Sequence, residues 1–263
     1  MNIEIINAII AAVTSIIVVI LSHILLSQND KRQILEKNRE QCRNNYINPI
    51  RFMLAENYYR MNEILERVIE NRQKEDEENI HTDKEGKNQN IFSINDASEV
   101  RYKNEEWFVN EGCYLMSSCY LTACLFAYME NLRNGIPFFK TSQKQDTRLI
   151  SLVNKLVVDF SANLNIYYVI QMNIGKECYL QSEHRVLTYR EFCQCIMCEE
   201  NFIWYESLIN YFKRIGDGEY HMAQSLLIHM EELARYLDKI VSGGDSIKQK
   251  IVAEKESKDK LYG

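Results

Sequence analysis

A chain of 263 residues is long enough to bury a real core, and 46% hydrophobic with 26% charged residues is ordinary globular composition. A formal net charge of −6 argues against general duplex nucleic-acid binding, while leaving room for a local basic pocket. Two prolines and nine glycines are few for a fold rich in strands and turns, so the expected class is all-α.

The first element is apolar enough to cross a membrane. Ile5 to Leu26 carries no formal charge; at 1.5 Å per residue it would span about 33 Å, close to the ~30 Å hydrocarbon core. The start "MNIE" has no basic residue and "LSHILLSQND" offers no small-x-small exit, so an uncleaved transmembrane helix is expected rather than a signal peptide. Lys31, Arg32, Lys37, Arg39, Arg43 and Arg51 follow the span, and none precedes it. Positive charge stays inside, which places the amino terminus outside and the bulk in the cytoplasm.

Within the span, Asn7, Ala11, Thr14, Ser15 and Ser22 fall on a stripe about 100° wide. Membrane helices pack through small residues and interhelical hydrogen bonds, so the stripe reads as a homo-oligomer interface or a pore wall in the lipid bilayer. The bland alternative is that Ser and Thr bond back to their own helix.

Residues 29–48 read as a charged juxtamembrane helix, and 49–244 as a helical domain. Asn48 and Pro49 suit the cap and first turn of a helix carrying Ile50, Leu54, Tyr58, Met61, Leu65 and Val68 at helical spacing. The almost wholly polar run 71–92 is expected to be a loop or disordered insertion. Trp107 to Arg133, apolar nearly all round, is expected to be one central core helix closed by Gly135 and Pro137. A second membrane span over Gly112–Met129 competes with that reading, but Tyr, Ser and Cys make the run only moderately apolar.

A further helix is expected through "DTRLISLVNKLVVDFSANLN", capped by Asp146 or Thr147, one or two more within "YLQSEHRVLTYREFCQCIMCEENFIWYESLINYFKRI", and the last within "GEYHMAQSLLIHMEELARYLDKIV". "IYYVIQM" suits a strand or a continuing helix equally. Gly243 and Gly244 would end the last helix, before a charged tail at 245–263.

Seven of the eight cysteines lie beyond residue 100 inside apolar patterns, so free buried thiols are expected rather than disulfides. "CQCIMCEE" holds one C-x₂-C, Cys195–Cys198, while Cys193 and Cys195 would point about 200° apart on a helix; core thiols fit better than zinc. His221 and His229 could share a helix face, with surface or packing roles. No nucleophile elbow, Walker loop or dinucleotide turn occurs. Neither an enzyme nor a cofactor is therefore expected.

The run "QSEHRVLTYREF" concentrates polar groups beside core helices. His184, Arg185 and Arg190 there make a candidate anion site through guanidinium forks; the alternative is a capping segment initiated by Ser182 and followed by a charged surface face. Arg133, Lys140, Lys144 and Arg148 form a second basic group.

The blocks "YINPIRFMLAENYYRMNEIL", "GCYLMSSCYLTACLFAYMENLR" and "LQSEHRVLTYREF" together resemble those of bacterial single-span membrane-anchored proteins. The architecture is similar to membrane effectors of anti-phage defence such as that of the Hailong system. The resemblance implies a cytoplasmic domain that senses a nucleotide or short oligonucleotide and perturbs the membrane. It would make the polar stripe the assembled span and His184, Arg185 and Arg190 a ligand site.

Overall fold

In the computed structural model, residues 3–81, 91–92, 94–135 and 143–240 are described. Of the described residues 86% are helical and almost none are in strands, which makes this an all-α protein. Its contacts divide it into two units, Met1–Asn45 and Tyr46–Gly263.

The first unit is built on α1, Ile3–Cys42. Among the described residues it provides the one helix long and apolar enough to cross a membrane, and none of its apolar window is buried. Val19 and Leu25 are 67% and 65% exposed. A π-helical turn, Arg43–Ile47, follows in sequence before α2, Asn48–His81. Pro49 lacks the amide that an α-helix would donate four residues back and its ring crowds that carbonyl, which accounts for the wider register just before it.

The expected loop or disordered insertion is helical over its first part. Its first eleven residues, 71–81, continue α2, because Glu, Lys, Gln and Arg are good helix formers even where nothing is buried. Residues 82–90 lie outside the described chain. At the far end of the same run Phe92 is 2% exposed and stacks on Tyr114 at 5.6 Å, so the segment returns to the core.

A 3₁₀ turn, Ala97–Tyr102, and the short helix α3, Glu105–Val109, lead to α4, Cys113–Gly135. The helix expected to run unbroken from Trp107 is therefore two helices. The chain turns at Asn110–Gly112, and a Cβ on Gly112 would meet the Trp107 ring at 2.3 Å. α4 ends at Gly135 as expected; Pro137 lies outside the described residues.

Leu115, Met116, Cys119, Ala123, Cys124, Leu125, Phe126 and Leu132 on α4 are at most 2% exposed. α2, α6, α7 and α8 all pack against it. Its core location answers the competing idea of a second span. Asn57, 4% exposed, ties α2 to it: Nδ2 donates to the carbonyls of Met53 (2.8 Å) and Leu121 (2.9 Å), and Oδ1 accepts from Thr122 (3.0 Å).

α5, Gln143–Leu164, begins a turn earlier than Asp146, which sits in its first turn. Asn165 takes a left-handed φ of 57°, and "IYYVIQM" then enters α6, Tyr168–Cys178. α7 spans Tyr189–Met197, α8 Glu199–Gly216 and α9 His221–Ile240. Gly243, Gly244 and the tail fall outside the described residues. α9 lies across α5 and α2, where Arg51 Nε donates to Asp238 at 2.9 Å.

α6 meets α4 backbone to backbone: a Cβ on Gly175 would lie 2.8 Å from the Phe126 carbonyl carbon. Neither backbone can give way as a flexible side chain can. Gly175→Ala would gain about 1 kcal/mol in helix propensity but lose about 1–3 kcal/mol to overpacking. The variant should melt below the wild type by circular dichroism; a higher midpoint would show that the helices separate freely.

Candidate functional site

The polar run after α6 folds as a β-hairpin. β1, Tyr179–Leu180, and β2, Arg185–Val186, pair antiparallel, with Tyr179 opposite Val186 and Leu180 opposite Arg185. Gln181, Ser182, Glu183 and His184 form the exposed turn, which His184 completes with a left-handed φ of 53°. Tyr120 donates to the Leu187 carbonyl (2.6 Å) and Tyr189 to that of Phe108 (2.7 Å), which fastens the hairpin to α4 and α3.

Thr188 caps α7 in a reciprocal capping box with Glu191. Arg185 joins the hairpin to that cap: Nε donates to Glu183 (2.7 Å), and Nη1 and Nη2 donate to the two oxygens of Glu191 (2.7 and 2.9 Å). Nη1 also reaches the Val186 carbonyl at 3.1 Å. The Arg185 guanidinium and the Thr188 amide and hydroxyl hold the Glu191 carboxyl below its ordinary 4.5, to about 2. These same carboxylates raise the Arg185 guanidinium further.

The fork that suggested an anion site is thus spent on the protein's own carboxylates, and Thr188 rather than Ser182 begins the cap. His184 and Arg190 are exposed, on the turn and on α7. Local carboxylates at 183 and 191 outnumber Arg185, so an incoming anion would have to displace one of them.

Of the second basic group, Arg133 lies over the Tyr168 ring and Arg148 pairs with Glu232 at 3.5 Å; Lys140 lies outside the described residues. On the span, Thr14, Ser15 and Ser22 are exposed, while the side chains of Asn7 and Ala11 lie outside what is described.

All eight cysteines are free. Burial pushes the thiols of Cys124 and Cys193 up to about 12 and about 11, which makes them packing groups rather than nucleophiles. Cys193 is buried, Cys195 half-buried and Cys198 exposed. Among the described residues no three His, Cys, Asp or Glu side chains converge on a metal position.

One polar pair has no signal in the sequence. His229 Nδ1 and Asp159 Oδ2 are 2.6 Å apart across α9 and α5, with the Asp159 side chain 8% exposed. Seventy residues separate them, so no spacing rule could have joined them. Beside them Lys155 donates to Glu232 at 2.5 Å and holds its carboxyl below the usual range.

No protein-family model, no curated protein and no solved structure matches the chain.

The lowered Glu191 carboxyl sets a pH dependence. Its contribution to stability is complete above about 4.5 and disappears as pH falls toward about 2, where the folded protein also takes up the proton. The melting advantage of the wild type over Glu191→Gln should therefore be present at pH 6 and shrink across that window. An advantage that stays constant down to pH 2 would mean the cap, not the charge pair, carries it.

Proposed function

We propose that the chain is a single-span membrane effector of bacterial anti-phage defence. α1 crosses the inner membrane with its amino terminus outside, and the helical domain receives a nucleotide or short oligonucleotide signal in the cytoplasm. Copies of α1 associate through the face bearing Asn7, Ala11, Thr14, Ser15 and Ser22, and the assembled spans leak ions when the signal arrives.

The observation that carries this reading is the contrast between α1 and the other long helices. Val13, Ile16, Val18, Val19, Ile20 and Leu21 are 49–67% exposed, whereas α4, a less apolar helix, is enclosed by protein. A bare apolar helix of this length is stable where lipid covers it. Small and hydroxyl side chains on one of its faces supply the packing that lipid cannot favour by itself. For the ligand, the support is the resemblance in the sequence; the exposed His184 and Arg190 are where a phosphate would first be met.

A second reading, a membrane-tethered scaffold that recruits a partner protein, is favoured by α8, where Ile203 is 67% and Trp204 39% exposed.

Two measurements separate them. The effector reading expects a defined oligomer by mass in nanodiscs, and ion leakage that is abolished when Asn7, Ser15 and Ser22 are changed together to Leu. The scaffold reading expects a monomer and full function after α1 is replaced by an unrelated single-pass anchor. Leakage that survives the triple Leu variant would end the pore reading.

A further inference from the structure

We infer that Cys195 and Cys198 form a redox-active dithiol, a site that exchanges with small aliphatic disulfides and closes into a Cys195–Cys198 bridge. The inference goes beyond the effector reading and holds however α1 behaves.

Spacing alone leaves the pair open; the joint between α7 and α8 brings it together. Cys198 is the single residue between the two helices, closing the first and opening the second. Its amide donates to the Cys195 carbonyl at 3.2 Å. A turn closed by that bond keeps the two Cα atoms within about 7 Å, the upper edge of what a disulfide spans. A φ of −80° at Cys198 continues the path of α7 up to its own Cα, so the two side chains leave the same face. Their Cβ atoms, about 5–6 Å apart at this spacing, have to approach by about 1–2 Å. The ψ of 119° at Cys198 has already turned the chain off the α7 path, so that approach bends the joint rather than a helix.

The two thiols divide the chemistry. Cys198 is exposed, and its side chain makes no capping bond to α8. It is the sulfur that an incoming reagent meets. Cys195 is half-buried, and burial, with Glu177 and Cys198 nearby, pushes its thiol above the ordinary 9.0. Such a thiol is a slow first nucleophile but is well placed to resolve a disulfide formed beside it. Cys193 lies on the same helix but points about 200° from Cys195 and is buried.

The exchange balances in two steps. The Cys198 thiolate attacks one sulfur of the small disulfide, whose S–S bond breaks, and the departing thiolate takes a proton from water. Cys195 then gives its proton to solvent, and its sulfur displaces the second half of the reagent from Cys198. Two protein thiols are oxidised, and one small disulfide is reduced to two thiols.

The test uses the full-length protein in nanodiscs, fully reduced and then exposed to bis(2-hydroxyethyl) disulfide, with mass spectrometry of the intact chain and of its tryptic 191–213 peptide. The wild type should lose two hydrogens, keep no mercaptoethanol half, show the Cys195–Cys198 bridge on fragmentation and recover both thiols in dithiothreitol. Cys195→Ser should trap the mixed disulfide on Cys198. Cys198→Ser should react at least about tenfold more slowly, because the remaining thiol of the pair is the shielded one. Cys193→Ser should behave as the wild type, and all three variants should keep its circular-dichroism spectrum. A wild type that holds the mercaptoethanol half as a stable adduct would overturn the dithiol and leave a lone reactive thiol. A bridge mapped to Cys193, undiminished reaction of Cys198→Ser, or no reaction of the wild type would overturn it as well.

Discussion

A helix that is apolar on every face has to be enclosed, and α4 is such a helix. The rest of the second unit is arranged around that requirement. α2 covers one side and is registered by Asn57, whose amide answers both a carbonyl and a hydroxyl of α4. α6 covers another at backbone distance, which only Gly175 permits. α7 arrives behind the hairpin with Phe192 against Tyr120 at 5.4 Å, and Phe126 reaches Phe160 of α5 at 4.8 Å. Two hydroxyls that α4 carries inward are bonded: Ser118 donates to Tyr114 O (2.7 Å) and Thr122 to Asn57. These bonded groups fix register in the core, whereas the buried Tyr114 hydroxyl of the same helix has no hydrogen-bond partner.

α1 meets the same demand differently. Its apolar window is richer in aliphatic residues than α4, and none of that window is buried. An apolar surface of that extent in water would drive aggregation, whereas in a bilayer it is at rest and its backbone is satisfied internally. Two apolar helices thus differ in what surrounds them: α4 is covered by protein, and the apolar window of α1 is not. What distinguishes them in the sequence is modest: α4 mixes Cys, Tyr, Ser and Met among its aliphatic residues, while α1 is chiefly Ile, Val, Leu and Ala.

Periodicity and composition revealed the elements whose burial is long and one-sided. The apolar span, the stripe of α2, the enclosure of α4 and the buried thiols were all readable that way. The features that escaped were set by single contacts. Trp107 folding over Gly112 splits a run that looks continuous. Two-residue strands are too short to show a period of two. The helical stretch 71–81 was hidden because polarity reports solvation, and Glu and Lys are as content on a bare helix as in a loop. The hairpin shows the same limit at a site. Counting basic residues there found Arg185, yet which carboxylates a guanidinium reaches depends on a turn in which His184 adopts a left-handed backbone. Asp159 and His229 needed two packed helices before they could be neighbours at all.

A domain that reports a signal needs two arrangements whose energies a ligand can separate. Close packing makes the α4 centre a poor place for this, since its neighbours meet backbone to backbone at Gly175 and through bonded polar groups at Asn57. The α5–α6 corner differs. There the chain reverses through a left-handed Asn165, Tyr167 and Val169 stand 60% and 56% exposed, and the Gln171 oxygen is buried and unanswered. An unsatisfied buried acceptor raises the energy of the unliganded arrangement by about 1–3 kcal/mol. The same 1–3 kcal/mol corresponds to a coupling of about 5–150-fold, the usual size of an allosteric effect. By this reasoning the corner, rather than the charge-compensated hairpin, is where occupancy changes the domain's internal balance most.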